Sequence, residues 1–70
     1  MTVDVDSLKA KIREKGLTVA VFARETGMNP STFYRKLAKN GLDLTVGQMH
    51  KAVEVLSLTK NDAVLIFLAG

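Results

Sequence analysis

Residues 28–42 carry Arg35, Lys36 and Lys39 and no aspartate or glutamate, interleaved with Ser31, Thr32 and Tyr34. Guanidinium and ammonium groups pair with phosphate oxygens, and a guanidinium also takes a guanine edge bidentately. Hydroxyls are short donors and acceptors that adapt to either partner. The set suits contact with a nucleic acid better than bond-making chemistry. The rest of the chain offers little to a reaction. It has no cysteine, hence no thiolate for catalysis or metal binding and no disulfide framework. His50, the only histidine, stands beside Lys51 with no carboxylate at ligand spacing, as a surface or helix-edge residue does. Asp4 and Asp6 read as helix-start acids rather than a catalytic pair. There is no Ser/His/Asp combination and no phosphate-cradling glycine loop. The expectation is a protein that is not an enzyme and uses neither metal nor cofactor.

The formal charge of +3 is modest but uneven. Residues 1–27 hold five Lys/Arg against four Asp/Glu, residues 28–42 three against none, and residues 43–70 two against three. The excess sits in one segment, as a small electrostatic footprint on phosphates would require. A solvated helix face gives the same pattern on charge alone. Lys9, Lys11, Arg13 and Lys15 alternate with acids and read as such a face. No apolar run reaches the ~18 residues of a membrane span, and the first residues lack the basic start and apolar core of a secretory signal. The chain reads as one soluble, cytosolic domain, residues 1–70.

The elements that must position these residues are legible as five short helices. Val5, Leu8 and Ile12 share a face, with Asp4 or Asp6 as cap and Gly16 as stop. Thr18 caps a second helix running to Thr26, and Gly27 breaks it. Asn29-Pro30 opens a third, Asn as cap and Pro at the first helical position, running to Lys39 with Asn40-Gly41 as its end. Thr45 and Gln48 have capping-box spacing, and behind them Val46, Met49, Ala52, Val53 and Leu56 form an apolar stripe. Thr59 repeats the cap. The last segment, Ala63 to Ala69, is apolar all round, so periodicity does not decide between helix and strand, although Thr59 favours helix. A small domain has one core to offer it. A second apolar face bearing Val64, Leu65 and Leu68 points to a dimer interface, the alternative being a helix swallowed by the core.

Where two helices meet steeply across a tight turn, a small residue must lie at the close approach and a positive φ at the turn. Ala23 and Gly27 meet those needs. Phe22, Met28, Phe33 and Leu37 supply apolar groups to weld the pair. On the third helix Phe33 and Leu37 are about 40° apart, while Ser31, Arg35 and Ala38 lie opposite, flanked by Tyr34, Thr32 and Lys39. That outward set is what major-groove reading requires.

The stretch "LTVAVFARETGMNPSTFYRKLAKNGLDLTVGQMHKAVEVL" resembles the helix-turn-helix core of phage Cro/cI-type (lambda-repressor-like, XRE) regulators, with Leu17-Thr18, Phe22-Ala23, Gly27-Met28 and Ser31-Thr32-Phe33-Tyr34-Arg35 in step with the family pattern. The closing "NDAVLIFLA" is similar to small Cro-like proteins of Gram-positive phages and prophages. The resemblance covers roughly residues 8–68. It implies an all-α, lambda-repressor-like fold with the helix-turn-helix at about 18–39, and a homodimer on double-stranded operator DNA. Asn29, Ser31, Thr32, Tyr34 and Arg35 fall on the family's base- and backbone-contacting positions. Thr18 opens the helix whose N-terminus usually meets a phosphate, and Lys36, Lys39 and Asn40 fall beside backbone phosphates.

Three single positions and one tripeptide of the second helix depart from that pattern. Thr26 stands where an apolar residue normally packs before the turn glycine, and Lys36 where a Leu, Ile or Tyr is usual. Pro30 occupies a position that carries a base-reading side chain in several relatives. Val19-Ala20-Val21 is apolar where this helix is ordinarily polar. The leading expectation is therefore a Cro-like repressor. The alternative is an antirepressor that uses the same fold to pair with another helix-turn-helix repressor, and high- and low-salt DNA binding separates the two.

Overall fold

The computed structural model describes residues 3–69, and these form an all-α domain of five helices: α1 (Val5–Glu14), α2 (Val19–Glu25), α3 (Pro30–Ala38), α4 (Val46–Leu56) and α5 (Lys60–Phe67). The helices start where side chains satisfy the first free N–H groups. Asp4, Thr18, Asn29, Thr45 and Thr59 each accept from a backbone N–H in the first turn that follows. At Thr45 the bond is reciprocal, since Gln48 Oε1 accepts from the Thr45 N–H at 2.9 Å and Thr45 Oγ1 from the Gln48 N–H at 3.0 Å.

The first four helices end alike. Gly16, Gly27, Asn40 and Ser57 follow them with positive φ. After α2, the Met28 N–H donates to the Ala23 carbonyl at 2.8 Å and the Gly27 N–H to the Arg24 carbonyl at 3.0 Å. This paired closure satisfies the last carbonyls and reverses the chain within a few residues. Gly27, at φ +80°, is the residue that permits it. Asn40 plays the same part after α3, and its amide side chain is one of the few that tolerate the left-handed region.

The core gathers one face from every helix. Leu8 and Ile12 of α1, Phe22 and Ala23 of α2, Phe33 and Leu37 of α3, Ala52 and Leu56 of α4, and Ile66 and Phe67 of α5 are all buried. Phe22 and Phe33 meet with ring centroids 5.5 Å apart and planes tilted by 59°, locking α2 to α3 through an edge-biased aromatic contact. Thr26 is buried despite its hydroxyl. It reaches the Ala23 carbonyl at 2.8 Å, so a polar residue sits without penalty where the family resemblance led one to expect an apolar one.

One reading left open is settled, one expectation changes and one contact is new. The C-terminal apolar segment is helical through Phe67, with Leu68 as its C-cap. The α4 stripe is not uniformly inward: Ala52 and Leu56 are buried, Met49 and Val53 half-buried, and Val46, in the first turn, is 70% exposed. The start of the chain is also part of the core. Val3 is buried, its N–H donates to the Asn40 carbonyl at 3.3 Å, and the Asp4 N–H donates to the Ile66 carbonyl at 2.6 Å. The segment before α1 thus ties the end of α3 to α5.

Candidate nucleic-acid interface

α3 presents its two sides very differently because nine residues give it only two and a half turns, enough for one anchored side and one free side. Phe33 and Leu37 are buried, and Met28 lies in the core just ahead of the helix. Asn29, Ser31, Tyr34, Arg35, Ala38 and Lys39 are exposed, while Thr32 and Lys36 are half-buried on the flank. The helix is therefore fixed from behind by apolar packing, and its outward side chains are carried on a backbone with little freedom to shift.

The individual groups differ in how committed they already are. Asn29 Oδ1 accepts from the Ser31 N–H at 2.9 Å, which leaves the Asn29 amide N–H groups to donate elsewhere. Thr18 Oγ1 accepts from the Val21 N–H at 3.2 Å, leaving its hydroxyl proton available. Tyr34 is 52% exposed. Among the described residues Ser31, Tyr34 and Arg35 form no side-chain hydrogen bond or ion pair. Asn40 is exposed at the left-handed residue after α3, beside Lys39.

Lys36 and Lys39 are not free cations, a feature missed at the level of sequence. Lys36 Nζ donates to the backbone carbonyl of Asp43 at 2.8 Å, and Lys39 Nζ pairs with the Asp43 carboxylate at 3.3 Å. Asp43 lies just past the acid-free segment, and the turn after α3 brings it back along the helix. The i,i+4 spacing of Lys39 and Asp43 was a usable signal. The Lys36 contact was not, because it depends on the path of the turn. Thr32, Arg35, Lys36, Lys39 and Asp43 together line a shallow concavity of about 150 Å³.

A second feature lies on α4 and α5. Val64, Leu65 and Leu68 are exposed, by 46, 64 and 52% respectively. Val64 and Leu68 join Val46, Met49, Val53 and Phe67 in lining an open apolar groove of about 260 Å³, flanked by His50 and Lys60. Leu65 lies outside this groove, about 100° around α5 from Val64. On α2, Val21 is exposed, while Val19 packs partly against the core. None of the helices is long and apolar enough to cross a membrane among the described residues.

Comparison with protein-family models, with curated proteins and with solved structures finds no match to this chain.

Proposed function

We propose that this chain is a sequence-specific DNA-binding transcriptional regulator, a Cro-like phage or prophage repressor in a bacterial cytoplasm, with α2 and α3 as its helix-turn-helix. The observation that carries the reading is the division of α3: Phe33 and Leu37 are buried, and the opposite side exposes Ser31, Tyr34 and Arg35 with no acidic residue on the helix. Major-groove recognition needs a rigidly backed helix whose free side offers donors, acceptors and positive charge. Asn29, Ser31, Thr32, Tyr34 and Arg35 are assigned to base and adjoining backbone contacts. Thr18, Lys36, Lys39 and Asn40 are assigned to phosphates.

A homodimer follows from the same reading. One α3 covers a few base pairs, and two copies related by a twofold axis reach half-sites one helical turn apart, about 34 Å. The exposed apolar surface of α5 at Val64, Leu65 and Leu68 is the surface assigned to that contact.

The test is retardation of duplex DNA from the protein's own locus across a salt series. Binding should weaken steeply as salt rises, because phosphate contacts release condensed counterions. Arg35→Ala should cost about 1–3 kcal/mol and relax preference at one base position. Failure to bind any such fragment at low salt overturns the assignment. The apolar groove of α4 and α5 also supports a second reading, an antirepressor whose target is another helix-turn-helix repressor. That reading expects complex formation with a protein partner that persists at salt concentrations dissociating DNA.

A further inference from the structure

We propose that Thr32, Lys36 and Lys39, with Arg35 at the rim, form a seat for one DNA backbone phosphodiester, and that Asp43 is its resident counter-ion, displaced when the phosphate arrives. The proposal rests on the DNA-binding reading above and adds a residue to it that neither charge pattern nor resemblance assigns.

The seat follows from the spacing of its members. Residues 32, 35, 36 and 39 occupy one side of α3 over about two turns, in a sector about 100° wide beside the one that holds Ser31 and Tyr34. They line a common concavity with Asp43. Three cations face one carboxylate there, so the concavity keeps a surplus of positive charge even when Asp43 is in place. Lys36 retains its charge uncompensated, since its partner is a neutral carbonyl and two of its three ammonium protons remain available. Thr32 adds a hydroxyl donor.

Asp43 is held where it can be replaced. The Lys36 bond fixes the Asp43 backbone at 2.8 Å, and this brings the carboxylate to Lys39 at 3.3 Å. The Lys39 and Asp43 side chains are 63 and 53% exposed, so water and salt screen the pair and little energy holds it closed. A phosphate entering the seat takes the place of the carboxylate on Lys39 while the Lys36 clip to the main chain stays made. The carboxylate then lies near the phosphate as a like charge. Asp43 therefore lowers affinity for every DNA sequence alike, and more at low salt than at high.

The test compares wild type, Asp43→Asn, Lys39→Gln and the double variant on duplex DNA from the protein's own locus, at low and at physiological salt. Asp43→Asn should tighten binding about threefold to tenfold at low salt, with a smaller gain at higher salt and unchanged base preference. The gain should be clearly smaller in the Lys39→Gln background, because competition for that ammonium group is then gone and only the repulsion between carboxylate and phosphate remains. Equal binding by wild type and Asp43→Asn, or a full gain without Lys39, overturns the proposal and leaves the DNA-binding reading intact. If no variant binds duplex, the DNA-binding reading fails. Titration with inorganic phosphate, followed by amide and side-chain nitrogen shifts of residues 32–43, then decides the seat separately. Saturating shifts at Arg35 and Lys39, at lower phosphate in Asp43→Asn than in wild type, support it, and their absence overturns it.

Discussion

Gly41 carries two constraints that can be separated by substitution. Its φ is +70°, and a Cβ built there would lie 2.7 Å from Val3 Cβ and 2.8 Å from Val3 Cγ2. The first constraint is conformational: a side chain in the left-handed region costs about 1–2 kcal/mol, partly offset by the smaller entropy of the unfolded chain. The second is steric. Val3 is 6% exposed, and a Gly41→Ala variant must expel it or distort the turn. Losing the burial of one valine costs roughly 1.5–3 kcal/mol, giving a total of about 2.5–4 kcal/mol. Gly16 supplies the control. Its φ is +74°, yet nothing lies within 4 Å of its added Cβ. Gly16→Ala should therefore cost only about 1 kcal/mol, or about 4–8 °C in melting temperature for a domain of this size.

Urea denaturation followed by far-ultraviolet circular dichroism measures both variants on one scale. A domain of this length has about 3.5–10 kcal/mol of stability, so the Gly41 variant loses a large share of it. Val3→Gly removes the three atoms that the new methyl meets. In the Gly41→Ala background it should therefore be far less damaging than in the wild type, with a coupling of about 1 kcal/mol or more. Equal losses in Gly16→Ala and Gly41→Ala would refute the reasoning, since the conformational terms are matched and only the Val3 contact differs.

Two further predictions concern acid stability and assembly. The Asp4 carboxylate accepts from the Ser7 N–H at 3.1 Å and the Ser7 hydroxyl at 2.8 Å, and these bonds, the backbone one foremost, hold its pKa below the ordinary value of 3.8. Its contribution is therefore complete above about pH 4 and is lost as pH falls through the lowered folded-state pKa, whereas Asp4→Asn should show a flatter stability profile across that acid range. For assembly, on the homodimer reading, Leu68→Asp places a charge in the apolar groove twice per symmetric dimer. At roughly 1.5–3 kcal/mol for each lost side-chain burial, the dissociation constant should rise at least about a hundredfold, and sedimentation should report monomers; a persistent dimer would remove the groove from the interface, and monomers from Leu65→Asp but not from Leu68→Asp would centre the contact on Leu65, about 60° around α5 from Leu68.

The parts of the fold that depend on neighbours in sequence were legible before the structure. Each N-cap works through a side chain and a backbone N–H two or three residues on, so Thr18, Asn29, Thr45 and Thr59 announce their helices locally. The inward residues of α3 follow from the same locality, because 3.6-residue periodicity separates Phe33 and Leu37 from Ser31 and Arg35. What stayed hidden depends on the path of the turn after α3. Two successive left-handed residues, Asn40 and Gly41, bend the chain so that Val3 covers Gly41 and Asp43 returns to Lys36 and Lys39. Ser57 was silent for a related reason: nothing in its side chain marks the left-handed backbone at φ +50° that closes α4.

The same turn explains why Lys36 can stand where the resembled family usually has an apolar residue. Leu37 is buried beside Phe33 and supplies the contact that holds α3 to the core, so position 36 is released from packing. Its side chain instead spans the flank of the helix and fixes the Asp43 main chain. Lys36 is thus a polar brace between α3 and the loop that follows. It also places positive charge where the remainder of the domain has almost none in excess, residues 1–27 carrying a balance of +1 and residues 43–70 of −1. On the DNA-binding reading, a domain with so little total charge attracts DNA weakly at long range, and that reading requires cations aligned at short range on one helix. On α3 those cations occupy one flank while the uncharged Ser31 and Tyr34 occupy the adjoining sector. On the proposed reading, Lys36 and Lys39 carry affinity for the backbone, and Ser31, Tyr34 and Arg35, which lies between the two sectors, carry discrimination among bases.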